Sequence, residues 1–112
     1  MAELPTEISE QIWRFQREFL QIISSARELE YQIFQTLGEN EQTSRSLEEL
    51  HQVAQEGIER FQRFATIQIR VANEPEEIAS DMLKLINSSI SISEQRIPAL
   101  LRSIEEIRLE WS

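Results

Sequence analysis

The chain contains no cysteine among its 112 residues, and it has only two glycines, three prolines and one histidine, His51. Without cysteine there is no disulfide framework and no cysteine nucleophile, which fits a reducing compartment. One histidine cannot supply the two Glu-x-x-His pairs of a di-iron helical bundle. Because glycine and proline are scarce, there are few positions at which a helix has to end.

Long apolar runs are also missing, since none approaches the roughly 18 residues that span a bilayer. The segment from Met1 to Glu7 is acidic, whereas a signal peptide is basic and then apolar. Twenty acidic residues against eleven basic ones give a formal net charge of −9. Such a chain lacks the positive surface that binding to a phosphate backbone requires. We therefore expect a cytoplasmic protein with no nucleic acid and no membrane among its direct partners.

Sequence motifs for catalysis are absent as well. The chain has no P-loop, no dinucleotide fingerprint and no nucleophile elbow. Its adjacent acidic pairs, such as Glu48–Glu49 and Glu105–Glu106, are interpreted as capping or solvent-facing residues of helices. We expect no enzymatic activity, no metal, no cofactor and no small-molecule substrate.

The chain is rich in a seven-residue apolar repeat, which is clearest in its last third. A repeat of this kind keeps one side of a helix against its neighbours in a left-handed bundle or coiled coil. The repeat there comprises Ala79, Leu83, Ile86, Ile90, Ser93, Ile97, Leu100, Ile104, Ile107 and Trp111.

Two breaks divide the chain into three predicted helices. The first break is Gly38–Gln42, where glycine is suited to the end of a helix, and the second is Asn73–Pro75. The first helix is therefore predicted from about Thr6 to Leu37.

The second helix is predicted to begin near Ser44 or Ser46, because Ser46–Glu49 matches a capping box. The third is predicted from Pro75 to Trp111, with Glu76 and Glu77 in its first turn and a kink near Pro98. A complete break at Pro98, which would give four helices, remains an alternative.

The predicted fold is an all-α, up-down-up bundle of three long helices that forms a single domain over residues 1–112. Helices 1 and 3 then run in the same direction, which places Trp111 near Phe34 and Leu37. Residues 65–71 and 89–93 alternate apolar and polar side chains, so strands at these positions are a second alternative.

The first helix carries two apolar rows. The core row is predicted to be Ile8, Ile12, Phe15, Phe19, Ile22, Ala26, Leu29 and Ile33, and the row beside it contains Trp13, Leu20, Ile23, Phe34 and Leu37. This arc is wider than a three-helix bundle covers. We therefore predict an interface on Trp13, Leu20, Phe34 and Tyr31. For the second helix, the predicted core row is Leu47, Leu50, Ala54, Ile58, Phe61, Ala65 and Ala72.

His51 gives the chain a limited resemblance to histidine-containing phosphotransfer domains, which are acidic helical bundles that carry one surface histidine. In that family Lys and Gly typically follow the histidine by three and four positions, where this chain has Ala54 and Gln55. The resemblance implies phosphoryl transfer through His51.

These observations favour a non-enzymatic helical module for protein–protein interaction or assembly, an adaptor or regulatory subunit. The expected partner is a second copy of the chain or another helical protein. Phosphotransfer through His51 is the alternative, and a small subunit of a nucleoprotein complex that contacts only its protein neighbours is a third.

Overall fold

Three α-helices make up the computed structural model, which describes residues 2–112. They are α1 (Thr6–Leu37), α2 (Ser44–Ala72) and α3 (Ser80–Glu110), in a bundle measuring 55 × 20 × 18 Å. Residues 65–71 and 89–93 are helical, and no strand occurs in the described part of the chain. The predicted all-α three-helix fold is confirmed.

Side-chain hydrogen bonds fix the direction of each helix. The amide of Gln16 on α1 donates to Gln68 Oε1 near the end of α2 at 2.9 Å, so these helices are antiparallel. The Trp111 indole N–H, just after α3, donates to Ser46 Oγ near the start of α2 at 2.8 Å. Since α3 is also antiparallel to α2, it runs parallel to α1.

The first connection is a compact turn. Gly38 has a φ of 72°, which glycine adopts without strain, and its N–H donates to the carbonyl oxygen of Phe34. Thr43 is buried, and its hydroxyl donates to the Gly38 carbonyl at 2.7 Å. The helix therefore begins at Ser44. The predicted capping box is wrong, because Ser46 lies inside the helix and bonds Trp111 instead.

The second connection is longer than predicted. The start of the third helix at Pro75 is wrong, since α3 begins at Ser80 and Ala79 is extended, with ψ at 147°. Glu76 and Glu77 consequently lie in the connection. The N-terminal segment crosses this region, and the Ala2 N–H donates to the Glu74 carbonyl at 3.1 Å. Tertiary contact thus outweighs the local preference of proline for a first helical turn.

The core row of α1 matches the prediction except at Ile8, which is only partly buried, whereas that of α2 is displaced by about one residue. Leu50 and Ala54 are buried as predicted, but Leu47, Ile58, Phe61 and Ala65 are only partly buried and Ala72 is exposed. The row that faces the core consists of Ser46, Leu50, Val53, Ala54, Gly57, Phe64, Ile67 and Val71. The other residues of the predicted row lie beside it.

Gly57 explains this displacement. A Cβ atom built on Gly57 would lie 2.9 Å from Ile23 Cγ1 and 3.5 Å from the Phe19 carbonyl oxygen. The missing side chain therefore allows α1 and α2 to approach closely, and these two helices share the most extensive contact in the bundle. A glycine that weakens the helix locally is thus the point at which α1 packs on α2.

α3 is continuous through Pro98, so the four-helix alternative is wrong. Pro98 is exposed, which allows water to satisfy the carbonyl group that proline leaves without a donor. In the N-terminal half Met82 and Ser89 are buried, whereas Leu83, predicted to be in the core, is 39% exposed. Ser89, Ser93 and Ile97 are buried in two successive steps of four residues, which departs from the alternating four-three spacing of a strict heptad.

A charged cluster joins α3 to α2. Glu56 accepts hydrogen bonds from Arg96 Nε and Nη2, both at 2.8 Å, and from Arg60 Nε at 2.8 Å. The bidentate bond from Arg96 is the main reason why the pKa of Glu56 is lowered below its ordinary value of 4.5, and Arg60 adds to the effect.

Glu56→Gln is expected to lower the free energy of unfolding at neutral pH by about 1 kcal/mol, because the arginines lose their carboxylate. Since folding lowers the pKa of Glu56, this stabilisation is present above pH 4.5 and is lost as the pH falls through the lowered value. Urea denaturation at several pH values measures both effects. The control is Glu59→Gln at an exposed position, and equal losses in the two variants would contradict the cluster's role.

Trp111 is the second link between α3 and the rest of the bundle. Its ring is partly buried against the core. It shares a depression of about 350 Å³ with Leu37, as predicted, and also with Ile33. Phe34 instead lines a different depression, with Tyr31 and His51, so the predicted proximity of Trp111 to Phe34 is wrong.

Trp111→Ala is expected to destabilise the protein by roughly 2 kcal/mol, since it removes a partly buried ring and a hydrogen bond. Trp111→Phe should have a smaller effect because it removes mainly the bond to Ser46. Leu109→Ala is the control, at a side chain that is 65% exposed. A loss no larger than that of the control, measured by chemical denaturation, would mean that the C-terminus is frayed.

Candidate interaction surface

A straight row of residues runs along the side of α1 that borders α2 and faces away from α3. It consists of Trp13, Leu20, Arg27 and Phe34, which are seven residues apart and therefore share one side of the helix. Its position is fixed at two points. Arg27 contacts His51 of α2, and Trp13 shares a depression with Ile69 of α2.

A matching row lies on α2. His51, Ile58 and Ala65 are also seven residues apart, and the first and last of them lie level with Arg27 and Trp13. Leu47 and Ile69 extend this row at its two ends. Together the two rows form the outer face, which we define as Trp13, Leu20, Arg27, Tyr31 and Phe34 of α1 with Leu47, His51, Ile58, Ala65 and Ile69 of α2.

All four residues predicted from the sequence to form an interface are exposed on this face. The exposed fractions are 54% for Trp13, 52% for Leu20, 64% for Tyr31 and 50% for Phe34. Ile69, which is 62% exposed, escaped the sequence analysis because its neighbours alternate like a strand. The sequence does contain a signal for the α2 side of the face. The residues wrongly predicted to form the core of α2 are a second apolar row on that helix, and this row lies on the face.

Two open depressions mark the ends of the outer face. One, of about 620 Å³, is lined by apolar and charged side chains together: Arg27, Glu30, Tyr31, Phe34, Glu39, Ser44, Leu47, Glu48 and His51. The other, of about 590 Å³, is more apolar and includes Trp13, Ala65, Ile69 and Ala72. The predicted residues are therefore divided between a mixed end and an apolar end, and Leu20 lies between them along the row.

A polar cluster interrupts the apolar row. Arg27 Nη1 lies 3.0 Å from Glu30 Oε1 and 3.1 Å from His51 Nδ1. Arginine can only donate, so His51 Nδ1 accepts in this arrangement and the ring proton lies on Nε2. The cluster contains one positive charge, on Arg27, and one negative charge, on Glu30, and the two lie side by side on the face.

Acidic side chains lie on and beside the outer face, as well as toward α3. Glu30 pairs with Arg27 on the face, and Glu39 and Glu48 line the depression that contains Phe34 and His51. Other acids lie on the side toward α3. Glu56 bonds Arg96, and Glu59 lines a depression with Arg96 and Leu100. Glu18 lies seven residues from Gln11, which bonds Glu94 of α3. The face consequently combines exposed apolar side chains with charged ones, which gather at the end that carries Phe34.

Exposed apolar residues on α3 do not form a comparable surface. Leu85 and Ile92 lie on the flank that carries Arg96, whereas Leu83 and Leu101 lie on the flank that carries Glu94. Scattered apolar side chains of this kind are ordinary on protein surfaces. The exposed apolar side chains of the outer face, by contrast, lie on two adjacent helices.

Comparison with known proteins gives no relationship, since no protein family, curated protein or solved structure matches this chain. Within residues 2–112, no helix is both long enough and apolar enough to cross a membrane. The same residues bring together no group of three or more side chains suited to holding a metal ion.

Proposed function

We propose that this protein is a non-enzymatic helical module for protein–protein interaction or assembly, and that it binds through the outer face. The observation that carries the proposal is the row of half-exposed side chains at Trp13, Leu20 and Phe34. A soluble chain gains nothing from leaving such a row in water, whereas a partner that covers it recovers about 25 cal/mol for each Å² of apolar area.

The composition of the face supports the same function. Aromatic residues and arginine are enriched at protein interfaces, and charged residues are depleted at interface centres. The outer face combines Trp13, Tyr31 and Phe34 with Arg27. Its shape, two long helices side by side, suits a partner that is itself helical.

Purification of a tagged chain from cells that express it, together with an untagged copy, tests this proposal. Trp13→Glu with Leu20→Glu is expected to remove the proteins that co-purify with the wild type, because both changes place charge on the face. Helix content by circular dichroism should stay unchanged, since both side chains are about half exposed.

The control is Leu101→Glu on α3, whose side chain is 49% exposed. This variant should retain every protein that co-purifies with the wild type. If the double variant keeps the same proteins as the wild type, the outer face is not the binding surface. If it unfolds, the row belongs to the chain's own core.

Phosphotransfer through His51 is the second candidate function. The imidazole is exposed, and the guanidinium of Arg27 beside it is a group that pairs with phosphate. The same contact also weighs against phosphorylation, because the free electron pair of the neutral ring lies on Nδ1, which Arg27 occupies. Attack on a phosphoryl group from Nε2 requires this bond to break and the ring proton to move.

Incubation with a phosphoryl donor is therefore expected to give no acid-labile phosphate on His51. Arg27→Gln serves as a matched variant, because it removes the guanidinium that occupies His51 Nδ1 and with it the obstacle to phosphorylation. Stoichiometric phosphate on the wild type that is absent from His51→Gln would favour phosphotransfer over the interaction module.

A further inference from the structure

We propose that the N-terminal segment is a strap that keeps residues 75–79 out of α3, and that α3 begins at Pro75 when the strap is released. The strap is defined as residues 2–5, which precede α1. It acts independently of what binds the outer face. The length of α3 is then a conformational variable that the N-terminal segment controls.

The observed start of α3 is weak. Ala79 occupies the N-cap position, and no side chain caps this end of the helix. Alanine is a poor N-cap, because it offers no acceptor to the free N–H groups of the first turn. The first backbone bond of α3 runs from the Leu83 N–H to the Ala79 carbonyl at 3.0 Å. The amides of residues 80–82 precede this bond and have no carbonyl of the helix to which they can donate.

A stronger start lies five residues earlier. Proline is favoured at the first position of a helix, and Pro75 is followed by Glu76 and Glu77, whose carboxylates would complement the helix dipole. The buried row would also continue, because Ile78 precedes the buried Met82 by four residues. Ala79 is nevertheless extended, with ψ at 147°. A conflict of this kind between local preference and observed conformation marks a strained or functional element.

The strap makes the contact that decides this conflict. Ala2 is buried, and Leu4 packs against the core. The Ala2 N–H donates to the Glu74 carbonyl at 3.1 Å. In a helix that begins at Pro75, the same carbonyl would accept the first intrahelical bond, from the Ile78 N–H. The docked strap and the longer helix therefore use one acceptor.

Open depressions lie on both sides of the strap. One, of about 590 Å³, is lined by Leu4 together with Trp13 and Ile69. The other, of about 430 Å³, is lined by Pro5 together with Ile78 and other residues of the connection. A short terminal segment in such a position separates from the rest of a fold at low cost. A change at the strap can therefore shift the balance between the two starts of α3.

Like charges also oppose docking of the strap. Glu3 lines the second depression together with Glu76 and Glu77 of the connection. Carboxylates that are brought together in this way repel one another. In a helix from Pro75, Glu76 and Glu77 would instead lie at the positive end of the dipole.

Amide hydrogen exchange, followed residue by residue by NMR, tests the strap. Deletion of residues 2–4 is expected to slow exchange of the amides of residues 78–82 about tenfold or more, because they gain acceptors at residues 74–78. Ala2→Asp should act in the same direction, since it places a charge at a buried position. Glu3→Asp is the matched control at the neighbouring exposed position and should leave these rates unchanged.

A further variant tests where the longer helix begins. Pro75→Gly, made in the chain that lacks residues 2–4, removes the proline that favours this start and adds a residue with more conformational freedom. It is expected to restore fast exchange of the amides of residues 78–82. The Cα chemical shifts of residues 76–79 should change from extended to helical values on deletion, and change back with Pro75→Gly.

Slower exchange at residues 78–82 in both the deletion and Ala2→Asp, reversed by Pro75→Gly, supports the strap. The loss of an ordinary stabilising contact would instead make these amides exchange faster. Equal or faster exchange at residues 78–82 in the two variants overturns the proposal. A loss of protection along α1 and α2 also overturns it, because the segment would then be part of the core.

Discussion

The structure depends on a limit of three-helix packing, in which each helix buries one row of side chains in a shared core. Beside the buried row, α1 and α2 each carry further apolar side chains on one side, whereas the exposed apolar side chains of α3 are divided between its flanks. Burying Phe15 and Phe19 of α1 against Phe64 of α2 fixes the rotation of both helices. Their second rows are then turned to the same outer side, where this chain provides no further helix.

The close contact at Gly57 strengthens this effect. It brings α1 and α2 together along their length, while α3 is tied to them by the Glu56–Arg96 pair and by the Trp111–Ser46 bond. The protein is thus a tight helical hairpin with a third helix on one side. A helical hairpin of this kind has two sides, and covering one of them with α3 leaves the other open to a partner.

The sequence predicts the bounds and the buried row of some helices better than those of others. Bounds of α1 and its core row followed from the heptads and from Gly38, because local signals and packing agree there. On α2 the sequence favours the more apolar row, which includes Leu47 and Ile58, over the row that is buried. Nothing in the sequence indicates that Gly57 marks a helix contact. At Pro75 a contact from the N-terminal segment overrode the local signal. The face residues Trp13, Leu20 and Phe34 were predicted, but Ile69 and the Arg27–His51 contact depend on the pairing of α1 with α2.

The accessibility of Trp13 to solvent is the most direct test of the claim that a partner covers the outer face. In the Trp111→Phe background Trp13 is the only indole, and its quenching by acrylamide reports how far water reaches the face. Indole fluorescence that is protected from quenching when the chain is bound to a co-purifying protein, and exposed again with Leu20→Glu, is the predicted result. A Trp13 indole that stays equally open to the quencher in the bound and the isolated chain would contradict the account.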